Sequence, residues 1–148
     1  VVHTLALAAS DPEEAVRSAA IGYLSTRPGT DATNALIAQL ANPAVRGRVL
    51  EALAVAADER VDGILAALES AEGEHADLLV AALARMRRPS SYAAIAAVLA
   101  LDNVDARRAA ASALAATGTT EAREALRRAG SVDPDLEVRR ICAAVEHP

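Results

Sequence analysis

Lysine, phenylalanine and tryptophan are absent from the 148 residues, and tyrosine occurs only twice. All fifteen basic residues are therefore arginines, and the chain carries a net charge of −5. A protein that binds nucleic acid without sequence preference normally presents a basic surface, and one that binds single strands also presents stacking aromatics. Because neither is present, the composition disfavours nucleic acid as a partner.

Cysteine occurs once, at Cys142, which excludes an internal disulfide and fits a reducing compartment. The longest apolar run, residues 93–101, is about half of the roughly 20 residues that a membrane-spanning helix needs. No signal-peptide pattern is visible, and the sequence starts at Val1 rather than Met. We therefore expect a piece of a longer protein: a soluble cytoplasmic module, or a cytoplasm-facing domain, without direct membrane insertion.

Alanine, by contrast, supplies 39 residues. Alanine has the highest intrinsic helix propensity, and leucine, arginine and glutamate follow closely. The β-branched and aromatic residues that favour strands are few. The composition therefore predicts an all-α protein, whose small side chains allow helices to approach one another closely.

Internal repeats set the organisation of the chain. The leucines that close each first helix recur at intervals of 29, 30 and 31 residues: Leu24, Leu53, Leu83 and Leu114. The apolar centres of each second helix recur at intervals of 28, 31 and 31 residues: Leu36, Ile64, Ile95 and Leu126. Two helices of about 12 residues and two short turns fill such a period, so the pattern predicts a repeated helix–turn–helix unit.

Turn and capping residues divide the chain. Asp11-Pro12 and Asn42-Pro43 are typical of an N-cap followed by the first helical residue. Gly118 suits the left-handed position that ends a helix. We predict a second helix left over from a preceding repeat, four full repeats and a terminal helix, at residues 1–10, 11–41, 42–71, 72–101, 102–130 and 131–148. Breaks within the repeats are expected at Pro28-Gly29, near Ala57-Asp58, at Pro89-Ser90 and at Thr117-Gly118-Thr119.

The two ends of the repeat array differ. Two positions of the second helices become charged in the last repeat: Thr33, Val61 and Tyr92 align with Arg123, and Ile37, Leu65 and Ala96 align with Arg127. An array needs a polar outer face where it ends, so this change predicts an approach to the C-terminal cap. Residues 1–9 show no such polarity. We therefore expect further repeats before Val1, and weak self-association through the open N-terminal end.

One motif recurs at the start of the first helices. It stands at three places: Asp11-Pro12 with Val16-Arg17, Asn42-Pro43 with Val45-Arg46, and Asp133-Pro134 with Val138-Arg139. This pattern resembles HEAT repeats, most of all the short bacterial type seen in phycobiliprotein lyases, over almost the whole chain. Repeat three departs from it, with His75-Ala76 in place of Val-Arg. The resemblance implies an armadillo-like α-solenoid of stacked antiparallel helix pairs, whose second helices line a concave face where partners bind.

Arginines offer two candidate features. One is a set of recurrent arginines that could form an anion site or, as the resemblance implies, an Arg/Asp ladder that ties adjacent repeats: Arg17, Arg46, Arg107 and Arg139. We prefer the structural ladder, because a ladder needs one arginine per repeat and an anion site does not. The second is the cluster Arg85, Arg87 and Arg88, either a docking patch or a last turn that interacts with the helix dipole. We prefer the dipole interaction.

No residue set fits catalysis or a metal. His3, His75 and His147 lie in different repeats without a second ligand at helical spacing. Cys142 stands in an apolar stretch and is expected in the core, since a catalytic thiol would need a histidine partner. Tyr92 aligns with Val61 and is expected in the core. Tyr23 is the better surface anchor of the two, but we favour the core for it as well. We predict no catalytic residues, no cofactor and no metal.

Aligned second helices place one row of residues outward. The row, here called the second-helix row, comprises His3, Asn34, Asp62, Ala93 and Glu124 and, one turn on, Leu7, Ala38, Ala66, Ala97 and Arg128. Its partner-binding candidates are His3, Asn34, Asp62, Glu124 and Arg128. An alanine-rich strip with polar edges would suit a helix or an extended peptide, although ordinary solvated surface explains it equally well.

We therefore predict a non-catalytic interaction, scaffold or regulatory module. It would bind a partner protein, or another domain of its parent protein, through the concave face. Two alternatives rest on the HEAT resemblance: a bilin lyase, and a module related to the HEAT-like DNA glycosylases. The scarcity of aromatics disfavours the lyase, and the acidic charge disfavours the DNA-binding module.

Overall fold

The computed structural model describes residues 1–55 and 57–146, which form ten α-helices and no strand. In chain order they are α1 (Val2–Ala8), α2 (Glu14–Ser25), α3 (Thr30–Gln39), α4 (Arg46–Val55), α5 (Ala57–Leu68), α6 (Gly73–Met86), α7 (Pro89–Val98), α8 (Val104–Thr117), α9 (Thr120–Val132) and α10 (Leu136–Glu146). The even-numbered helices are the first helices of the repeats, and the odd-numbered helices are the second helices. The predicted all-α fold is confirmed.

The helices stack in two layers. Each first helix packs against the next first helix, from α2 to α10, and each second helix packs against the next one from α1 to α7. Every substantial contact between described helices joins neighbours, or next neighbours, along the chain. The molecule is therefore an α-solenoid, whose stability is a sum of terms within repeats and between adjacent repeats. None of the described helices has the length and apolar character needed to cross a bilayer.

The repeated leucines form the centre of the core. At most 2% of the surface of any of these side chains is exposed: Leu24, Leu53, Leu83, Leu114, Leu36, Ile64, Ile95 and Leu126. They belong to a single cluster of buried apolar residues that runs from Ala9 to Cys142. The helical periods read from the sequence therefore locate the apolar spine of the solenoid correctly.

The Asx-Pro sites do not cap the helices as predicted. The side chain of the first residue accepts a hydrogen bond from the amide two residues later: 2.8 Å at Asp11, 3.1 Å at Asn42 and 2.9 Å at Asp133. Each site is an Asx turn, and the helices begin three or four residues later, at Glu14, Arg46 and Leu136. In the last repeat the N-cap is Asp135, whose carboxylate accepts from Val138 N at 3.0 Å.

The turns within the repeats are short. Gly118 has a φ of 67° and ends α8 in the left-handed conformation, as predicted. Between α6 and α7 the turn falls at Arg87 and Arg88, with Pro89 as the first residue of α7 rather than part of the break. Both residues of the turn predicted near Ala57-Asp58 belong to α5, and residue 56, which precedes them, lies outside the described residues.

The predicted core position is wrong for Tyr23, whereas Tyr92, predicted in the core with its hydroxyl at an edge, packs against the core. Tyr23 is 61% exposed, whereas the equivalent residues of the next two first helices, Ala52 and Ala82, are buried. Tyr92 is half-buried at the edge of the core. Weak self-association through the open N-terminal end stays a prediction.

Gly130→Ala is expected to destabilise the protein by about 1–3 kcal/mol. A β-carbon at position 130 would lie 2.7 Å from Cys142 Cβ, an atom that no rotamer change can move. Helices α9 and α10 would therefore have to separate, which outweighs the gain of up to about 1 kcal/mol that alanine gives over glycine in a helix. Denaturant unfolding measures the change.

The matched control is Gly22→Ala, at an exposed position of α2 where an added β-carbon meets nothing within 4 Å. This variant should gain stability, by up to about 1 kcal/mol. Equal effects of the two substitutions would show that the close approach of α9 to α10 does not limit residue 130.

Candidate protein-interaction surface

The second-helix row lies at the surface of five successive second helices, α1, α3, α5, α7 and α9. All ten of its residues are exposed. They include the five partner-binding candidates, His3, Asn34, Asp62, Glu124 and Arg128. Helical repetition thus brings side chains from distant parts of the sequence onto one surface.

Charge is concentrated in the second half of this row. Asp62 is acidic, and Glu124 and Arg128 form an exposed pair at 4.0 Å on α9. An ion pair that is this exposed contributes little to stability, so both side chains can exchange their partner for another at little expense. Four of the remaining positions are alanines, which leave the strip between the charges low and smooth.

The four recurrent arginines share one local contact. Each donates to backbone carbonyls five or six residues earlier, in the loop before its own helix. These contacts are Arg17 to Asp11 and Pro12, Arg46 to Leu40, Arg107 to Leu101 and Asp102, and Arg139 to Asp133 and Pro134, at distances of 2.7–3.3 Å. The arginines therefore fix the loops that precede their helices, which explains their recurrence without an anion ligand.

Two of these arginines also reach the next repeat. Arg107 donates to Asp133, with Nε 2.8 Å from one carboxylate oxygen, and both side chains are almost fully buried. Arg46 pairs with the exposed Glu74 at 3.2 Å. Among the four, only Arg107 thus pairs with an aspartate. Other contacts between first helices come from different positions, such as Arg48 with Glu14 at 2.9 Å.

The carboxylate of Asp135 should make the stability of the fold depend on pH. Its carboxylate accepts from Arg108 at 2.6 and 3.0 Å and from the amide of Val138, and the bonds from Arg108 contribute most to holding its pKa well below the usual range. A depressed pKa stabilises the fold above the unfolded-state pKa of about 4 and loses this contribution as the pH falls. Wild type should therefore lose more stability between pH 6 and pH 3 than Asp135→Asn does.

Denaturant midpoints across this pH range measure the difference. Asp62→Asn, at an exposed position of α5, is the control and should follow the wild-type pH profile. An Asp135→Asn profile parallel to wild type would contradict the assigned role of the carboxylate.

Arg60 is the most buried charged residue, and sequence reasoning missed it. Its side chain is 0% exposed and reaches back from α5 to repeat one. There it donates to the carbonyls of Leu24, Ser25 and Arg27 at 2.8–3.3 Å, and to Thr33 Oγ1 at 2.8 Å. Burial lowers the pKa of the guanidinium, opposed by the nearby Glu59. The missed signal was its alignment with small residues, Ala32, Ser91 and Ala122, in the other second helices.

The Arg85, Arg87 and Arg88 cluster lies where α6 ends and α7 begins. Arg85 stands in the last turn of α6, and Arg87 occupies the left-handed C-cap with a φ of 51°. Arg88 precedes α7 and pairs with Asp58 of α5 at 3.4 Å. Cations in a last turn interact favourably with the helix dipole, and Arg88 additionally joins two second helices.

The remaining candidates stay apart. His3 is exposed, His75 is half-buried in another repeat, and His147 lies outside the described residues. Within the described ranges, no group of three His, Cys, Asp or Glu side chains could hold a metal ion. Cys142 is buried, as predicted, and burial, aided by Asp133 and Glu146, raises the pKa of its thiol. A raised pKa keeps the thiol protonated and makes it a poor nucleophile.

Comparison with known proteins agrees with the repeat architecture. A family model described as HEAT repeats matches residues 61–145. The match starts in α5 and ends in α10, so it spans more than half of the chain. No curated protein matches the sequence. The match and the stacked helix pairs identify the chain as a member of the HEAT repeat family.

Proposed function

We propose that the chain is a non-catalytic interaction module that binds a partner protein, or another domain of its parent protein, through the second-helix row. The observation that carries the proposal is that all ten positions of the row are exposed, two on each of five successive second helices. Its alanines offer a low strip for an incoming helix or extended segment, and Asp62, Glu124 and Arg128 offer charges that can fix the orientation of the partner.

Family membership supports the same reading. HEAT repeats commonly mediate protein–protein interaction and are generally non-catalytic. The arginines that recur along the chain donate to loop carbonyls, which accounts for them without a partner. The second-helix row is therefore the surface that we assign to partner binding. No observation on this surface favours a bilin lyase or a DNA glycosylase over an interaction module.

The test is site-specific photo-crosslinking. A photoreactive residue replaces Asn34, Asp62 or Glu124 on the row or, as controls, the exposed Glu51 of α4 or Ser112 of α8. After irradiation in extract of the source organism, we expect the row positions to yield adducts of one common mass, and the controls to yield none. Adducts restricted to the first helices would refute binding through the row.

A further inference from the structure

The layer of second helices opens between its last two members. The earlier second helices pack against one another, whereas α7 and α9 barely touch. A groove of about 430 Å³ lies between them, here called the α7–α9 groove. Tyr92 and Ala96 of α7 form one wall, Ala122 and Glu121 of α9 form the other, and Leu114 of α8 lies at the floor.

One repeat position changes to a smaller side chain at this opening. Thr33 of α3 lies against Gly63 of α5, so position 33 and position 37, one turn on, face the next second helix. The residues equivalent to Ile37 are Leu65 in α5 and Ala96 in α7. A branched side chain thus fills the space before the next second helix in two repeats, and alanine leaves it empty in the third.

The lining of the groove is apolar except at one edge. Helix α7 contains no charged residue, and the only charged residue that lines the groove is Glu121. Within the described part of the chain, Glu121 makes no ion pair. The arginines of α9 are directed elsewhere: Arg128 pairs with Glu124, Arg127 pairs with Glu146, and Arg123 lines the side towards α10.

The groove is continuous with the second-helix row, because Ala93 belongs to both. Its volume falls in the range of small binding sites. Apolar side chains seated in such pockets dominate many protein interfaces, and charges at the rim select the partner. The one unpaired carboxylate at the edge is complementary to a cation.

We propose that the α7–α9 groove is the anchor pocket of this module: it takes one large apolar side chain of a partner protein, next to a lysine or arginine that pairs with Glu121. The inference rests on the proposed function and names the partner chemistry for it. Ala96 is then a specificity-determining residue, because it keeps open a space that the repeat pattern would otherwise fill.

The experiment selects binders from a displayed library of random 12-residue peptides, using the full chain as bait. The selected peptides should share a leucine or aromatic residue with a lysine or arginine within one helical turn. Ala96→Leu restores the residue type of Leu65, and we expect it to raise the melting temperature while weakening the best peptide at least tenfold. Gain of stability with loss of binding is the signature of a functional gap rather than a packing defect.

Two further variants separate the outcomes. Glu121→Lys, at an exposed position that leaves the fold unchanged, should reverse the preference from basic to acidic peptides. Ala19→Leu, at an exposed position of the first helix α2 and outside the row, should leave binding of the selected peptide unchanged. A selection without this motif, or a peptide insensitive to Ala96→Leu and Glu121→Lys, would overturn the anchor pocket. Crosslinks at Asn34 and Asp62 would still support the row in that case, so the two proposals fail separately.

Discussion

Replacing Arg60 by alanine is expected to lower the free energy of unfolding by about 4 kcal/mol. The guanidinium is fully buried and supplies four hydrogen bonds, three of them to carbonyls at the end of α2. Alanine would remove these donors, although the carbonyl of Leu24 would still accept from the amide of Arg27, and it would create a cavity between repeats one and two. Urea unfolding followed by circular dichroism measures the change.

Two variants divide this effect into its parts. Arg60→Met keeps much of the side-chain volume and removes the donors, so it should recover only the part that belongs to the cavity. Arg60→Lys keeps the charge but cannot reach carbonyls and Thr33 together, because only the guanidinium has donors in a broad planar fork. Full stability of Arg60→Met would contradict the role of Arg60 as a hydrogen-bond donor to the carbonyls at the end of α2. In that case its side chain would contribute through packing alone, as at sites where apolar residues replace buried charges without loss.

The buried pair of Arg107 and Asp133 gives the second large effect. Arg107→Ala is expected to cost about 3 kcal/mol, because it leaves the carboxylate of Asp133 buried without its cation. The same substitution also releases the carbonyls of Leu101 and Asp102 in the loop before α8. The loss should appear in the same urea titration.

A double-mutant cycle isolates the pair. Arg107→Ala together with Asp133→Ala should lose about 2 kcal/mol less than the sum of the single losses. Arg48→Ala removes an exposed pair with Glu14 and should cost at most about 1 kcal/mol. Additive single losses, or an equal loss from Arg48→Ala, would show that burial of the Arg107 pair adds nothing.

The helices and their core could be predicted from the sequence because repetition multiplies a weak signal. One apolar residue such as Leu53 does not define a helix, but its recurrence at Leu24, Leu83 and Leu114 fixes both the period and the buried face. The same alignment located the outward second-helix row. Gly118 was also predictable, because a left-handed helix end favours glycine over other residues.

The helix starts and Tyr23 were wrong for different reasons. Asp11 can cap a helix or form an Asx turn with nearly the same local sequence. The hydrogen bond that Arg17 donates to the carbonyl of Asp11 favours the Asx turn. Tyr23 is apolar enough for the core, but it is exposed, whereas its equivalents in the next two first helices, Ala52 and Ala82, are buried. The repeat pattern predicts which face of a helix is apolar, but it does not predict whether another helix covers that face.

Arg60 and Ala96 stand out in the repeat alignment, but the alignment does not reveal what either residue does. Each departs from the residue type of its column, Arg60 among alanine and serine, and Ala96 after isoleucine and leucine. A residue that differs from the residues aligned with it can make an additional contact or can leave a space unfilled. The sequence does not distinguish these two cases. In the structure, Arg60 reaches the end of α2 and makes an additional contact. Ala96 instead lines the groove that separates α7 from α9, so it leaves a space unfilled.

Hydrogen exchange of Arg60→Ala and Arg107→Ala, compared amide by amide with wild type, tests most directly whether stability is local to neighbouring repeats. Arg60→Ala should lower protection in α1–α3 and Arg107→Ala in α9 and α10, while α6 keeps near-wild-type protection in both. If either substitution lowers protection equally from α1 to α10, the chain has one indivisible core, and the description as a stack of separately stabilised helix pairs is wrong.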